Sequence, residues 1–176
     1  KEYRGIAVKR KSAKVSEEEI SKALDYLKKS QGKDDAVLDD AFAHSLGYPN
    51  LEDFKQTLIR QMETDKDRQN RVDVEQQVVD TLLKDLKISV PPALLEKQME
   101  HRLRELTQRF QSQGVPEDEI KKREEAWRKE LRPIVERDIR VYFVFEAIAK
   151  AENMTVAENE SLPSKVMAFL LKEAKR

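Results

Sequence analysis

Cysteine is absent from the 176 residues. That excludes a disulfide framework and thiol chemistry, and it is compatible with a cytosolic protein. Glycine occurs only 4 times and never as a phosphate-cradling run, so nucleotide-driven action is not expected. The 2 histidines, His44 and His101, fall in different predicted helices. With no His/Cys cluster at ligand spacing, no metal or other cofactor is expected. No apolar run approaches the roughly 18 residues of a membrane-spanning helix, and no secretory signal opens the chain. Neither sign of charge is in excess: Lys plus Arg and Asp plus Glu both number 34. Net charge therefore gives no reason to expect nucleic acid or an anionic membrane as partner.

What is abundant is charge of both signs. Charged residues make up 39% of the chain, far above the usual quarter or so. Hydrophobic residues, also 39%, suffice for a core. With so little glycine and so much Glu, Lys, Arg, Gln and Leu, the composition predicts an all-α, elongated protein of long, well-solvated helices, with at most one short N-terminal strand at residues 3–9. The length allows one or two domains.

Local signals place the helices. Ser16 and Glu19 form a capping box ahead of the stripe Ile20, Ala23, Leu24, Leu27. Gln31-Gly32-Lys33-Asp34 is a break. Phe42 and Leu46 share one face of a short helix that Gly47 ends in the left-handed conformation. Asn50 caps the next helix, with Asp53 in its first turn. That helix carries Leu51, Phe54, Leu58 and Met62, and the stripe resumes at Val72, Val79, Leu82, Leu83 and Leu86. The pattern predicts one helix over 51–86, on the order of 50 Å long. Its polar middle, 63–71, either bridges solvent or breaks the helix. An extended Ile88-Ser89-Val90 leads to Pro91-Pro92, which opens a further helix. Leu95, Met99, Leu103, Leu106 and Phe110 follow at spacings of three and four. Gly114 and Pro116 turn the chain into a return helix bearing Ile120, Trp127 and Leu131, which makes a helical hairpin. Pro133 is expected to kink or restart that helix. From 134 to 148 the sequence is apolar almost all round, which predicts burial. Met154-Thr155-Val156 is a short extended step, and Pro163 opens a last helix with Val166, Met167, Phe169, Leu170 and Leu171.

Catalytic machinery is not apparent. His44 reads as a helix-face residue near Gly47, and His101 as a surface residue beside Lys97 and Glu105. The paired carboxylates Asp34-Asp35 and Asp39-Asp40 lack a nucleophile, base and oxyanion partners, so capping is the better reading. Lys9-Arg10-Lys11 and Lys121-Lys122-Arg123 are offset by nearby acids and have no aromatic stacking series beside them; solvated faces explain them better than RNA contact.

The order of motifs resembles the substrate-binding domain of bacterial trigger factor, a ribosome-associated folding chaperone. The residues that carry the resemblance are Asp39, Asp40, Phe42, Leu46 and Gly47 before a long helix, then Ile88-Ser89-Val90-Pro91 before an arm. Tyr3-Arg4-Gly5-Ile6-Ala7-Val8 and Val15-Ser16-Glu17-Glu18-Glu19-Ile20 resemble the same family's linker strand and helix. The resemblance implies a linker strand and helix over 1–33 packing on a helical chaperone domain over 34–176, with an arm at about 91–132. Two segments depart from the family. Only residues 31–36 stand where a prolyl-isomerase domain is expected, and only 157–162 stand where a second arm is expected. No Gly-Phe-Arg ribosome-docking loop is present, and the chain begins inside a motif at Lys1, as a fragment would.

The resemblance therefore implies a cytoplasmic, ATP-independent holdase that is not an enzyme and binds unfolded or nascent polypeptides. Ribosome contact would come only through a domain outside this chain, and a homodimer is an open option. The candidate client-binding residues are Met99, Leu103, Leu106, Phe110, Ile120, Trp127, Leu131, Val166, Met167 and Leu170. A two-helix arm has few neighbours to cover its stripes, exposed apolar patches mark binding sites, and methionine adapts to varied partners. The competing reading of the same stripes is core packing across the hairpin. The competing function is a helical scaffold or adaptor with one defined partner, which a sustained heptad would favour; none continues past 63–71.

Overall fold

The computed structural model describes residues 3–30, 37–84, 86–157 and 159–175. The described residues form six helices: α1 (Glu17–Ser30), α2 (Asp40–Ser45), α3 (Leu51–Leu83), α4 (Pro92–Ser112), α5 (Glu117–Ala151) and α6 (Leu162–Glu173). The protein is all-α. The expected N-terminal strand reduces to an isolated parallel bridge between Ala7 and Lys175. The break at 31–34, the Asp34-Asp35 pair and the 33/34 boundary lie outside the described residues.

The chain divides into two compact units, residues 8–76 and residues 3–7 with 77–175. Helix α3 contributes 51–76 to the first and 77–83 to the second.

In the first unit, Leu24, Phe42, Ala43 and Phe54 form the core, with Ile20, Leu27, Leu38, Leu46, Tyr48, Leu51 and Leu58 packed around it. Helix α1 thus joins α2 and the start of α3 in one cluster. The capping signals act as read. The Ser16 Oγ accepts from the Glu19 amide while the Glu19 carboxylate accepts from the Ser16 amide. Asp39 accepts from the Phe42 amide, and Asn50 from that of Asp53. At Gly47, with φ +85°, the Gly47 and Tyr48 amides donate to His44 and Ala43 carbonyls, closing α2 in a Schellman motif.

The polar middle of α3 does not break. The preceding extended segment covers it with polar contacts. Asn70, 5% exposed, donates to the Lys11 carbonyl at 2.9 Å. Lys66 donates to the Lys14 carbonyl at 2.9 Å and to Glu19 at 2.7 Å. Arg10 pairs with Asp67 and Lys11 with Asp73. α3 stops at Leu83, three residues short of the expected end.

The second unit is built on α5. Leu95 and Met99 of α4 pack with Val135 and Ile139 of α5, flanked by Val90, Leu94, Leu131 and Phe143. Helix α5 runs unbroken through Pro133, so the expected restart does not occur. The stripe Leu131, Val135, Ile139 keeps one helical phase across the proline and packs on α4; tertiary contact outweighs the local cost. The 134–148 stretch is only partly buried. Ile134 and Tyr142 are 54% and 48% exposed. Gly114, at φ +79°, ends α4 as expected. Asn153, at φ 50°, ends α5 in the same way: its amide and that of Met154 donate to the Lys150 and Ala149 carbonyls. Ser161 caps α6 by accepting from the Ser164 amide.

Residues 3–7 dock on the end of α6. Gly5 donates to the Glu173 carbonyl, and Lys175 donates to that of Ile6. Tyr3 and Arg4 converge on Glu152 at 2.6 and 2.7 Å, and the Arg4 guanidinium lies over the Phe169 ring.

Candidate client-binding grooves

The second unit carries open grooves along α5. One, of about 430 Å³, is lined by Tyr3, Leu82, Leu86, Ile88, Phe143, Val144, Ala147 and Ile148. Every lining side chain except Tyr3 is aliphatic or Phe, and the Tyr3 hydroxyl is turned to Glu152. The groove lies where residues 86–91, between α3 and α4, form no helix. That segment has no helical bulk to fill the space beside α5. A second groove, of about 390 Å³, lies between α4 and α5. Its apolar floor is Leu94, Val135, Ile139 and Phe143, and its rim is Gln98, Tyr142 and the Arg102–Asp138 pair at 3.5 Å. Phe143 lines both grooves. A third, of about 400 Å³, is mostly polar, with Glu100, Arg104, Glu124 and Arg128 around Leu103.

The electrostatics are those of a solvated helical surface. Hydrogen bonds from Arg4 and then Tyr3 hold the Glu152 carboxyl below the usual carboxylate range. The Tyr3 hydroxyl is correspondingly raised by Glu152. In the basic group at 121–123, Lys121 pairs with Glu117 at 2.8 Å and Arg123 with Glu119 at 3.6 Å. His44 Nε2 meets the Pro49 carbonyl at 2.6 Å, and exposed His101 lies 3.6 Å from Glu105. Asp40 accepts from the Leu51 amide at 2.7 Å, a structural tie between α2 and α3. Among the described residues, no group of three or more His, Cys, Asp or Glu side chains is arranged to hold a metal ion. Nor is any helix long and apolar enough to cross a membrane.

The ten residues singled out from the sequence divide by burial. Met99, Leu103, Ile120, Val166 and Leu170 are buried, so in this conformation they support the surface from beneath. Leu106, Phe110, Trp127, Leu131 and Met167 are half-buried. Phe110 and Trp127 stack across the hairpin, with ring centroids 5.0 Å apart and an interplanar angle of 16°. Only Leu103 lines one of these three grooves. Leu86, Ile88, Phe143 and Ala147 line the first groove but lie outside the ten sequence candidates. For Phe143 and Ala147 the available signal is the 134–148 stretch, whose apolar arc is wider than one packed helix face needs.

The profile of the family described as bacterial trigger factor protein (TF) C-terminus matches residues 50–168. The protein is similar to the trigger factor of Moorella thermoacetica, with 32% identity over 130 residues, covering 71% of this chain and 29% of that protein. It is 35% identical over 127 residues to the trigger factor of Thermomicrobium roseum, covering 70% and 26% respectively. For the trigger factor of Syntrophotalea carbinolica the identity is 27% over 124 residues, covering 70% and 28%. The chain thus spans less than a third of the length of these relatives. No solved structure matches it significantly. The profile match begins at Asn50, the cap of α3, and extends into α6, taking in every residue of the three grooves except Tyr3; the chain belongs to the bacterial trigger factor C-terminal family.

Proposed function

We propose that this chain is a chaperone of the holdase type. It binds unfolded or nascent polypeptides in the cytoplasm without ATP, and binding rather than covalent chemistry is its activity. The observation that carries this reading is the apolar groove beside α5, where Leu86, Ile88, Phe143 and Ala147 are partly exposed over buried Leu82, Val144 and Ile148 around a volume of about 430 Å³. An open apolar groove on a surface otherwise dense in charge suits a nonpolar segment of an unfolded chain. Family membership supports a chaperone role in general.

The half-buried arm residues Leu106, Phe110, Trp127 and Leu131, with Met167 of α6, serve as secondary contacts. Buried Met99, Leu103, Ile120, Val166 and Leu170 hold these surfaces in place. The many ion pairs around them, such as Arg132–Glu96 and Arg102–Asp138, keep a loaded complex soluble. Sequestering the unfolded state lowers its free concentration and slows aggregation.

The test is light scattering from a chemically denatured client diluted into buffer without nucleotide. A several-fold excess of the chain should suppress the rise. Unchanged scattering at that excess would overturn the reading.

A further inference from the structure

The segment between α3 and α4 has the burial pattern of a strand but no strand partner. Leu86, Ile88 and Val90 are half-buried, while Lys87, Ser89 and Pro91 are exposed. This period-two alternation is that of an extended chain with one face on a surface. Leu86 and Ile88 form part of the apolar groove wall, and Val90 packs on the Leu95–Met99–Val135–Ile139 cluster. At one end, the Leu86 amide donates to the Leu83 carbonyl at 3.1 Å. At the other, Pro91 and Pro92 have no amide hydrogen to offer. Between them, no hydrogen bond joins the main chain of 87–90 to another described residue. Among the described residues, the four N–H and four C=O groups of 87–90 therefore have no hydrogen-bond partner, and they lie beside an apolar groove.

We propose that residues 87–90 capture the client by strand addition: an unfolded segment lies extended alongside them, exchanging main-chain hydrogen bonds. This rests on the holdase reading and specifies how the groove is occupied. The occupant is a stretch of extended polypeptide with apolar residues at every second position. Its apolar side chains enter the groove beside Leu86, Ile88 and Phe143, and its alternate side chains face water. Unpaired strand edges are templates for this contact, and main-chain pairing supplies affinity that does not depend on client sequence. Four residues span about 13 Å at about 3.3 Å each, so one short client segment is held at a time. The two prolines prevent the pairing from running into α4, so the edge does not propagate into an aggregate.

Strand pairing has a periodic signature. Along a strand, the amides of 88 and 90 point to one side and those of 87 and 89 to the other, so a client on one edge engages one pair only. The experiment uses the intact chain, labelled for amide exchange, and a soluble seven-residue peptide in which valine alternates with threonine. Fluorescence anisotropy of the labelled peptide gives its affinity. On saturation, exchange should slow at least ten-fold at one alternate pair of amides, 87 and 89 or 88 and 90, and little at the other. N-methylation of the peptide at one alternate set of positions should weaken binding at least ten-fold, and at the other set by less than about two-fold.

Binding with uniform exchange at 87–90 and equal effects of both N-methylated sets would overturn strand addition while leaving the groove as a client site. Stronger binding of an amphipathic helical peptide, with exchange at 87–90 unchanged, would overturn it in favour of a helix in the groove. Failure of both the peptide and a full-length unfolded client to bind would overturn strand addition and the holdase reading together.

Discussion

The two compact units use similar residues to opposite ends. In the 8–76 unit, short helices turn their apolar faces inward onto Leu24, Phe42, Ala43 and Phe54. The exposed polar flank of α3 is then covered by main-chain carbonyls and ion pairs from 10–14. In the 77–175 unit, α5 carries apolar residues over a wider arc than α4 and α6 cover. The surplus lines grooves beside the extended 86–91 segment and along α4. Large exposed apolar residues occur in both, Tyr26 and Val72 in the first and Ile134 and Tyr142 in the second. Scattered single residues are ordinary on protein surfaces; concave apolar walls are not. One unit uses its apolar residues for closure, and the other keeps part of them available.

Two phenylalanines give the largest expected contrast. Phe42 is buried and meets Phe54 edge-on at 6.2 Å. Phe42→Ala should cost about 3–5 kcal/mol in urea denaturation. Phe143 is half-buried on the groove walls, and Phe143→Ala should cost only about 1–2 kcal/mol, from the smaller apolar area it removes from water. Equal costs would erase the distinction between closed core and open wall. Next, Met99, at 2% exposure, is core despite its place on the arm stripe. Met99→Ala should destabilise by about 2–5 kcal/mol; a change under about 0.5 kcal/mol would return it to the binding surface. Asn70→Ala should follow at about 1–3 kcal/mol, because the buried amide no longer satisfies the Lys11 carbonyl.

These expectations rest on features of unequal visibility in the sequence. Caps and stops were legible because each is a local device. Ser16 with Glu19, Asn50 with Asp53, Gly47, Gly114 and Pro163 each fix backbone geometry within a few residues. The cover over 63–71 was not legible. It joins side chains of Lys66 and Asn70 to carbonyls of Lys14 and Lys11, more than fifty positions away, and such pairing leaves no periodic trace. The restart expected at Pro133 fails for the converse reason: the local cost is plain, but the continuous stripe that outweighs it depends on α4. Asn153 passed unnoticed because asparagine takes the left-handed region less conspicuously than glycine. Among the candidate site residues, the periodic arm stripe identified apolar positions without distinguishing Met99 inside from Phe110 half-outside. The groove beside α5 depends on where the 86–91 segment crosses the helix, a tertiary fact.

The smallest expected effect is acid sensitivity at the covered flank. Hydrogen bonds from Lys66 and from the Ser16 amide lower the Glu19 carboxyl to about 2. Its folded value lies below the unfolded one. Its stabilisation is therefore complete above the ordinary value of about 4.5 and is lost as pH falls from there toward 2. Glu19→Gln should be slightly less stable than the wild type at pH 6, and the gap should narrow by pH 3. A gap that widens on acidification would contradict the ion-paired state.

The most direct test of the central claim places the same charge on each unit. Ala147 is exposed and lines the apolar groove, whereas Tyr26 is exposed on α1 at 72%. Neither Ala147→Glu nor Tyr26→Glu should shift the unfolding midpoint beyond the small range of surface substitutions, about 0.5 kcal/mol. Affinity for an unfolded client, measured by anisotropy without nucleotide, should fall at least ten-fold for Ala147→Glu and stay within two-fold for Tyr26→Glu. Unchanged binding by Ala147→Glu, or an equal loss in both variants, would contradict the assignment of client binding to the α5 groove.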